Sequence, residues 1–144
     1  MAALDRIDFQ ILGLLRKNAR LSNKEIAEKV GLAPSTCLVR TRMLQKSGAI
    51  TGFKAELNPL ALGVGLQAMI AVRLKRHYKP DVEAFRRHAL DLPEVVRLSH
   101  VAGPIDFLAP VWAKVPDHLR DLAMTGVTAR EEVSHSETEL IFEH

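Results

Sequence analysis

Between Pro34 and Ser47 the sequence PSTCLVRTRMLQKS sets three cations, Arg40, Arg42 and Lys46, among hydroxyl and apolar side chains. A guanidinium can pair with phosphate or with the edge of guanine, a hydroxyl near a helix start can donate to phosphate or base, and a valine can touch a thymine methyl. Projected as a helix, Ser35, Val39, Arg42 and Lys46 fall opposite an inward stripe of Cys37, Thr41 and Leu44. Thr36, Leu38 and Met43 border that outer face and Arg40 flanks it. Ser35, Thr36, Val39, Arg40, Arg42 and Lys46 are therefore the candidate contacts to double-stranded DNA. A three-helix bundle with a solvated basic side would give a similar pattern.

Other chemistry finds little material. The histidines at 77, 88, 100, 118, 135 and 144 show no paired metal-ligand spacing, and no phosphate-cradling glycine loop or nucleophile elbow occurs. Cys37 lies opposite the basic face with no histidine near it in sequence, which suits packing better than nucleophilic catalysis. Glu131 and Glu132 read as solvated charge. No catalytic residue, metal site or cofactor is expected.

Three helices must position the basic face. Ile7, Ile11, Leu14 and Leu15 recur at helical spacing behind Asp5 and Asp8, acids that suit the positive end of a helix dipole. Ser22-x-x-Glu25 is a capping-box signature opening a short helix that stops at Gly31. Pro34 then suits the first position of a third helix running to about Ser47, because its ring presets the backbone angle and its missing N–H would be unpaired there anyway. Helix, tight turn and second helix with basic outward positions describe a helix-turn-helix. Charge agrees: residues 1 to 63 carry ten Lys/Arg against five Asp/Glu, the remainder ten against twelve. The polyanion-facing character belongs to the first part. No apolar run reaches the roughly 18 residues that span a bilayer, the N-terminal MAALDRIDFQ lacks a signal-peptide pattern, and a lone thiol suits a reducing compartment. A cytoplasmic protein is expected, away from membranes.

The remainder alternates strand and helix. ITGFKAELNP reads as a weak strand and LALGVG as a joint. Leu66, Ala68, Ile70, Val72 and Leu74 share one strand face, with Met69 and Ala71 on the other. A helix after Pro80 turns Val82, Phe85, Ala89 and Leu90 inward; strands follow at about Val95 to Ala102 and Asp106 to Ala113. A helix from Pro116 carries Leu119, Leu122, Ala123 and Val127 inward, before a last strand near Val133 to Phe142. The order βαββαβ makes a ferredoxin-like sheet with helices on one face. Its other face keeps Met69, Ala71 and, depending on register, Trp112 or Phe107, which invites self-association. Pro110 falls inside a central strand, so a bulge or break is expected there.

The stretch from Leu4 to Phe53 resembles the DNA-binding half of the Lrp/AsnC (feast/famine) transcription regulators, and NPLALGVG and VAGPIDF continue the likeness to the C-terminus. Asp8, Ile11, Leu15, the pattern Ser22 to Ala27, Pro34-Ser-x-Cys37 and Gly48-x-Ile50 have direct family counterparts, as do Arg40 and Arg42. Three positions depart: Ala33 stands where the family commonly has a serine cap, and Val39 and Met43 where arginine is frequent. The resemblance implies an α+β protein with a winged helix-turn-helix and a C-terminal ferredoxin-like βαββαβ (RAM) domain. It further implies sheets paired face to face in a homodimer, with tetramers or octamers beyond it, and an amino-acid effector. Gly103 and Asp106 match the family's G-x-x-D element beside the effector pocket; Ser136, Thr138 and Leu140 lie in the final strand, where relatives shape the response.

The domains expected are 1–52 for DNA binding, 53–64 as linker strand and hinge, and 65–144 for dimerisation and sensing. The functional expectation is a sequence-specific regulator on a near-palindromic operator, modulated by an amino acid. An effector-independent architectural DNA-binding protein and a stand-alone sensor or enzyme on the ferredoxin-like half are the rivals.

Overall fold

A computed structural model describes residues 3–142. The chain forms two compact units, one ending at Glu56 and one beginning at Leu57. The first holds α1 (Arg6–Lys17), α2 (Asn23–Val30) and α3 (Pro34–Lys46). Ile11, Leu15, Ile26, Ala27, Cys37 and Leu44 are its buried core, so each helix contributes two side chains to one cluster. Between α2 and α3 the chain reverses at Gly31, whose φ of 71° is left-handed, and the Leu32 N–H returns to the Ala27 carbonyl at 2.9 Å. A side chain with a Cβ would be strained there.

The second unit is a four-stranded antiparallel sheet of order β2-β3-β1-β4, built from β1 (Leu66–Leu74), β2 (Ser99–His100), β3 (Phe107–Ala113) and β4 (Val133–Leu140). α4 (Lys79–Asp91) and α5 (Pro116–Asp121) complete the βαββαβ order. α5 widens into a π-helical stretch over Leu122–Thr128, whose Gly126 carbonyl meets His88 Nε2 at 2.6 Å. Alternate residues of β1 and β3 point at the helices: Ala68, Ile70, Val72, Leu74, Phe107, Ala109, Val111 and Ala113 are buried against Phe85, Ala89, Leu119, Leu122 and Val127. At the start of β1, Gly65 passes so close to the Lys114 carbonyl that a Cβ would clash with it.

Several details differ from the sequence reading. Residues 51–58 form no strand, since an alternating pattern needs a ladder partner and these residues pair with no described strand; a 3-10 turn at Leu60–Leu62 follows instead. Leu90 is exposed, one position past the buried Ala89. Phe107 belongs to the helix-covered core, so Trp112 takes the outer face. Pro110 does not break its own strand: β3 runs continuously and Pro110 pairs with Met69 of β1. The interruption falls on the neighbouring edge, where Pro110 accepts the Val96 N–H at 2.9 Å but has no N–H to return. β2 is accordingly reduced to two residues, with an isolated bridge at Val95.

One polar latch holds the β2 side to α5. The Lys114 N–H donates to His118 Nδ1 at 3.2 Å, which leaves the proton on Nε2 to face Glu94 Oε1 at 2.8 Å. The His118 imidazole holds the Glu94 carboxyl below its ordinary 4.5. A depressed carboxylate contributes stability that is present above its unfolded value and lost as pH falls through the folded one. Glu94→Gln should therefore lower the unfolding temperature at pH 7 by no more than about 4 °C, the scale of one partly solvated hydrogen bond. Thermal scans at pH 7 and below pH 4 check this: parent and variant should converge in acid, and a gap that stays constant would remove Glu94 from the account.

Candidate nucleic-acid interface

α3 starts without a side-chain cap, since Ala33 offers no acceptor. Two other devices set its start. Pro34 occupies the first turn, and Asn23 Nδ2 at the head of α2 donates to the Pro34 carbonyl at 2.6 Å. α2 itself begins with the reciprocal box expected, the Glu25 N–H on Ser22 Oγ at 3.1 Å and the Ser22 N–H on Glu25 Oε2 at 2.7 Å. The Ser22 backbone N–H first, and the Ser22 side chain second, hold the Glu25 carboxyl below its usual value. Cys37 and Leu44 point into the core, while Thr41 is half-buried and returns its hydroxyl to the Cys37 carbonyl at 3.0 Å.

With that side fixed, Ser35, Thr36, Val39, Arg42 and Lys46 are all exposed. Arg42 and Lys46 make no ion pair with any described residue. They form a surface of hydroxyls, one aliphatic group and two available cations, suited to phosphate and base-edge contact in a major groove.

Arg40 sits differently. Its Nη1 lies 2.7 Å from Asp5 Oδ2 and 2.9 Å from Asp8 Oδ1. The same two acids cap α1 reciprocally, at 2.9 and 3.0 Å. The Asp8 backbone N–H and then the Arg40 guanidinium hold the Asp5 carboxyl below its usual range; Asp5 and then Asp8 raise the Arg40 value. By its place on α3 Arg40 is a candidate DNA contact; in the structure its guanidinium joins α3 to the head of α1. The acids were visible as cap and dipole partners of α1. A contact 32 to 35 residues away in the chain leaves no local signal.

In the second unit the expected effector residues separate into two places. Gly103, at φ 133°, lies exposed in the β2–β3 loop. Asp106 is 1% exposed; its Oδ2 accepts the Leu74 N–H at 2.8 Å and its Oδ1 stands 2.8 Å from His77 Nδ1. That carboxylate stands in for a further rung of the β1–β3 ladder. Ser136, Thr138 and Leu140 lie across β1 from it, in β4, on the helix side of the sheet. Ser136 Oγ is 2.8 Å from Thr128 Oγ1. Thr138 and Leu140 line a recess of about 280 Å³ with Leu66, Leu119, Arg120 and Ala123, which includes neither Gly103 nor Asp106. His144 lies outside the described residues; of the others, 77, 88, 118 and 135 each meet an acidic or carbonyl oxygen, and His100 stacks on Phe107.

A winged helix-turn-helix joined to a ferredoxin-like α+β domain defines a DNA-binding protein with an attached sensing module. Family comparison matches residues 4–51 to winged helix-turn-helix DNA-binding domains and residues 67–144 to the Lrp/AsnC ligand binding domain. The HTH-type transcriptional regulator AldR of Mycolicibacterium smegmatis is 41% identical over 98% of this chain and 82% of its own length. The leucine-responsive regulatory protein of Escherichia coli K12 is 41% identical over 79% of this chain and 68% of its own. A Neisseria meningitidis transcriptional regulator solved as an L-methionine complex superposes with a TM-score of 0.90 at 29% identity, covering 99% of this chain and 92% of that one. The chain belongs to the Lrp/AsnC family of transcriptional regulators, with a DNA-binding N-terminal unit and a ligand-binding C-terminal unit. These relatives are regulators, not enzymes. No described helix is long and apolar enough to cross a membrane.

The two arginines should part company in a salt titration. Arg42→Ala is expected to weaken binding to duplex DNA and to reduce the slope of log affinity against log salt by about 0.9, the signature of one lost phosphate contact. Arg40→Ala should weaken binding with the slope unchanged. Equal slope reductions in the two variants would put both cations on phosphate.

Proposed function

We propose that this regulator acts as a homodimer joined through the open face of its sheet, and that the dimer presents two α3 helices to the half-sites of a near-palindromic operator. The observation that carries this is the composition of the uncovered face. Register places Met69 and Ala71 of β1 beside Pro110 and Leu108 of β3, with Trp112 opposite Gln67. Met69, Ala71, Leu108, Pro110 and Trp112 are each only half-buried by their own chain. Toward β4 the same face becomes charged, with Arg73, Glu137 and Glu139. An apolar patch with a polar rim is the pattern of an association surface. A two-fold pairing suits DNA because an isologous interface repeats the recognition helix with the symmetry of a palindrome.

The ligand is proposed to be an amino acid. Support comes from the L-methionine complex of the Neisseria meningitidis relative and from the leucine-responsive name of the Escherichia coli one. Within this chain the exposed Gly103 turn and the recess beside Thr138 and Leu140 are the places offered for it. Asp106 acts through the turn it anchors, since its buried carboxylate accepts the Leu74 N–H.

Sedimentation and footprinting test the reading together. The parent should sediment as a dimer or larger and protect two half-sites upstream of a target promoter, with protection altered by L-leucine or L-methionine. Trp112→Glu should halve the mass and reduce operator affinity by tenfold or more, because one recognition helix then binds alone. A monomeric parent, or protection without two-fold spacing, would overturn the dimer. Protection indifferent to every amino acid would favour an effector-independent architectural role. For the site, titration calorimetry with L-methionine should show weaker binding in Thr138→Val than in the parent; equal affinity would move the site to the Gly103 turn.

A further inference from the structure

With Arg40 drawn toward α1, the outward surface of α3 has an apolar centre. Val39 is 56% exposed and Met43, one turn on, 60% exposed. Arg42 lies on one side of this pair and Lys46 near its C-terminal end. A groove of about 630 Å³ runs beside them, with Thr36, Val39 and Met43 on one wall and Ala3 and Leu4 on the other. Folding does not account for the pair, since Cys37 and Leu44 on the opposite side do the packing. Leaving two apolar side chains in water on a helix that faces a polyanion asks for a partner that is itself apolar at that spot. The large apolar group that the major groove offers is the C5 methyl of thymine; the other groups that carry its sequence code are hydrogen-bond donors and acceptors.

We infer that Val39 and Met43 are specificity-determining residues that read thymine methyls, so that the half-site is selected by thymines in place of an Arg40–guanine pair. Residues four apart on a helix are separated by about 6 Å along its axis. That is close to two base steps of about 3.4 Å, so the geometry asks for two methyls about two steps apart. Arg42 and Lys46 supply attraction to the flanking phosphates that is indifferent to sequence. The inference rests on the reading of this side of α3 as the side that meets DNA.

Deoxyuridine isolates the methyl, since it differs from thymidine by that group alone. Duplexes are enriched from a random-sequence pool by the full-length protein, and each dT of the enriched half-site is replaced in turn by dU. Parent affinity should fall about fourfold at each of two positions, the effect of one buried methyl, and stay unchanged at the others. The double variant Val39→Ala, Met43→Ala should bind the dT duplex about fifteenfold more weakly than the parent does, the product of two methyl contacts, and should no longer distinguish dT from dU. Arg42→Ala should bind both duplexes more weakly while keeping the dU penalty. Equal parent affinity for dT and dU duplexes overturns the methyl readout, and leaves the DNA-facing assignment standing if Arg42→Ala still weakens binding. A dU penalty that survives in the double alanine variant overturns the assignment to these two residues. Parental affinity in both the Arg42 and the double alanine variants would overturn the DNA-facing reading itself. The parent measurements need no variant, and both substituted side chains are exposed, so folding does not decide the result.

Discussion

The rotation of α3 about its own axis is the constraint on which the function of the N-terminal unit depends. Burial of Cys37 and Leu44 against α1 and α2 fixes one side of the helix, and the opposite side then has no choice but to face outward. Two polar contacts sharpen that setting. Asn23 holds the first turn of α3 to the head of α2, and Arg40 ties its middle to Asp5 and Asp8. A cation used in this way orders the helix that carries the other cations. Asp5 and Asp8 meanwhile cap α1 and hold α3 with the same carboxylates, so the start of one helix and the placement of another are coupled.

A comparable economy appears in the C-terminal unit. Asp106 extends the β1–β3 pairing with a side chain, accepting the Leu74 N–H just beyond the last paired residues of those strands. The β2–β3 loop containing Gly103 is therefore held at its base by a buried carboxylate, while its tip stays exposed. On the sheet, period-two alternation buries one face of β1 and β3 beneath the helices, apart from the partly buried Leu66, and leaves most of the other half-covered. The sheet closes one side of the unit by itself and keeps the other available.

Much of this was legible in the sequence because it is periodic or local. The capping box at Ser22 and Glu25, the turn at Gly31, the helix start at Pro34 and the inward set of β1 all follow from side-chain spacing and backbone preference within a few residues. The failures share a cause. Pro110 inside a strand pattern predicts a defect of its own strand, but a residue's N and O point to one side of the ladder only; the missing donor is felt by β2 and not by β1. Residues 51–58 carry a strand-like pattern that no described neighbour in this chain completes. Pattern reports what a segment can pair with, and topology decides whether a partner is there.

By itself the sequence determined the βαββαβ order, most of each inward stripe and the identity of the exposed basic face, since each depends on covalent neighbours and on the 3.6 and 2.0 residue periods. Only the tertiary structure decided which charges on that face are available. Arg40 and Arg42 are indistinguishable by type and two residues apart, yet one is held between Asp5 and Asp8 and the other forms no ion pair with any described residue. The same holds for Asp106, whose carboxylate reaches the Leu74 N–H because strands from distant parts of the chain meet there. Electrostatic partners are set by distance in space, and distance in space is what a linear pattern does not carry.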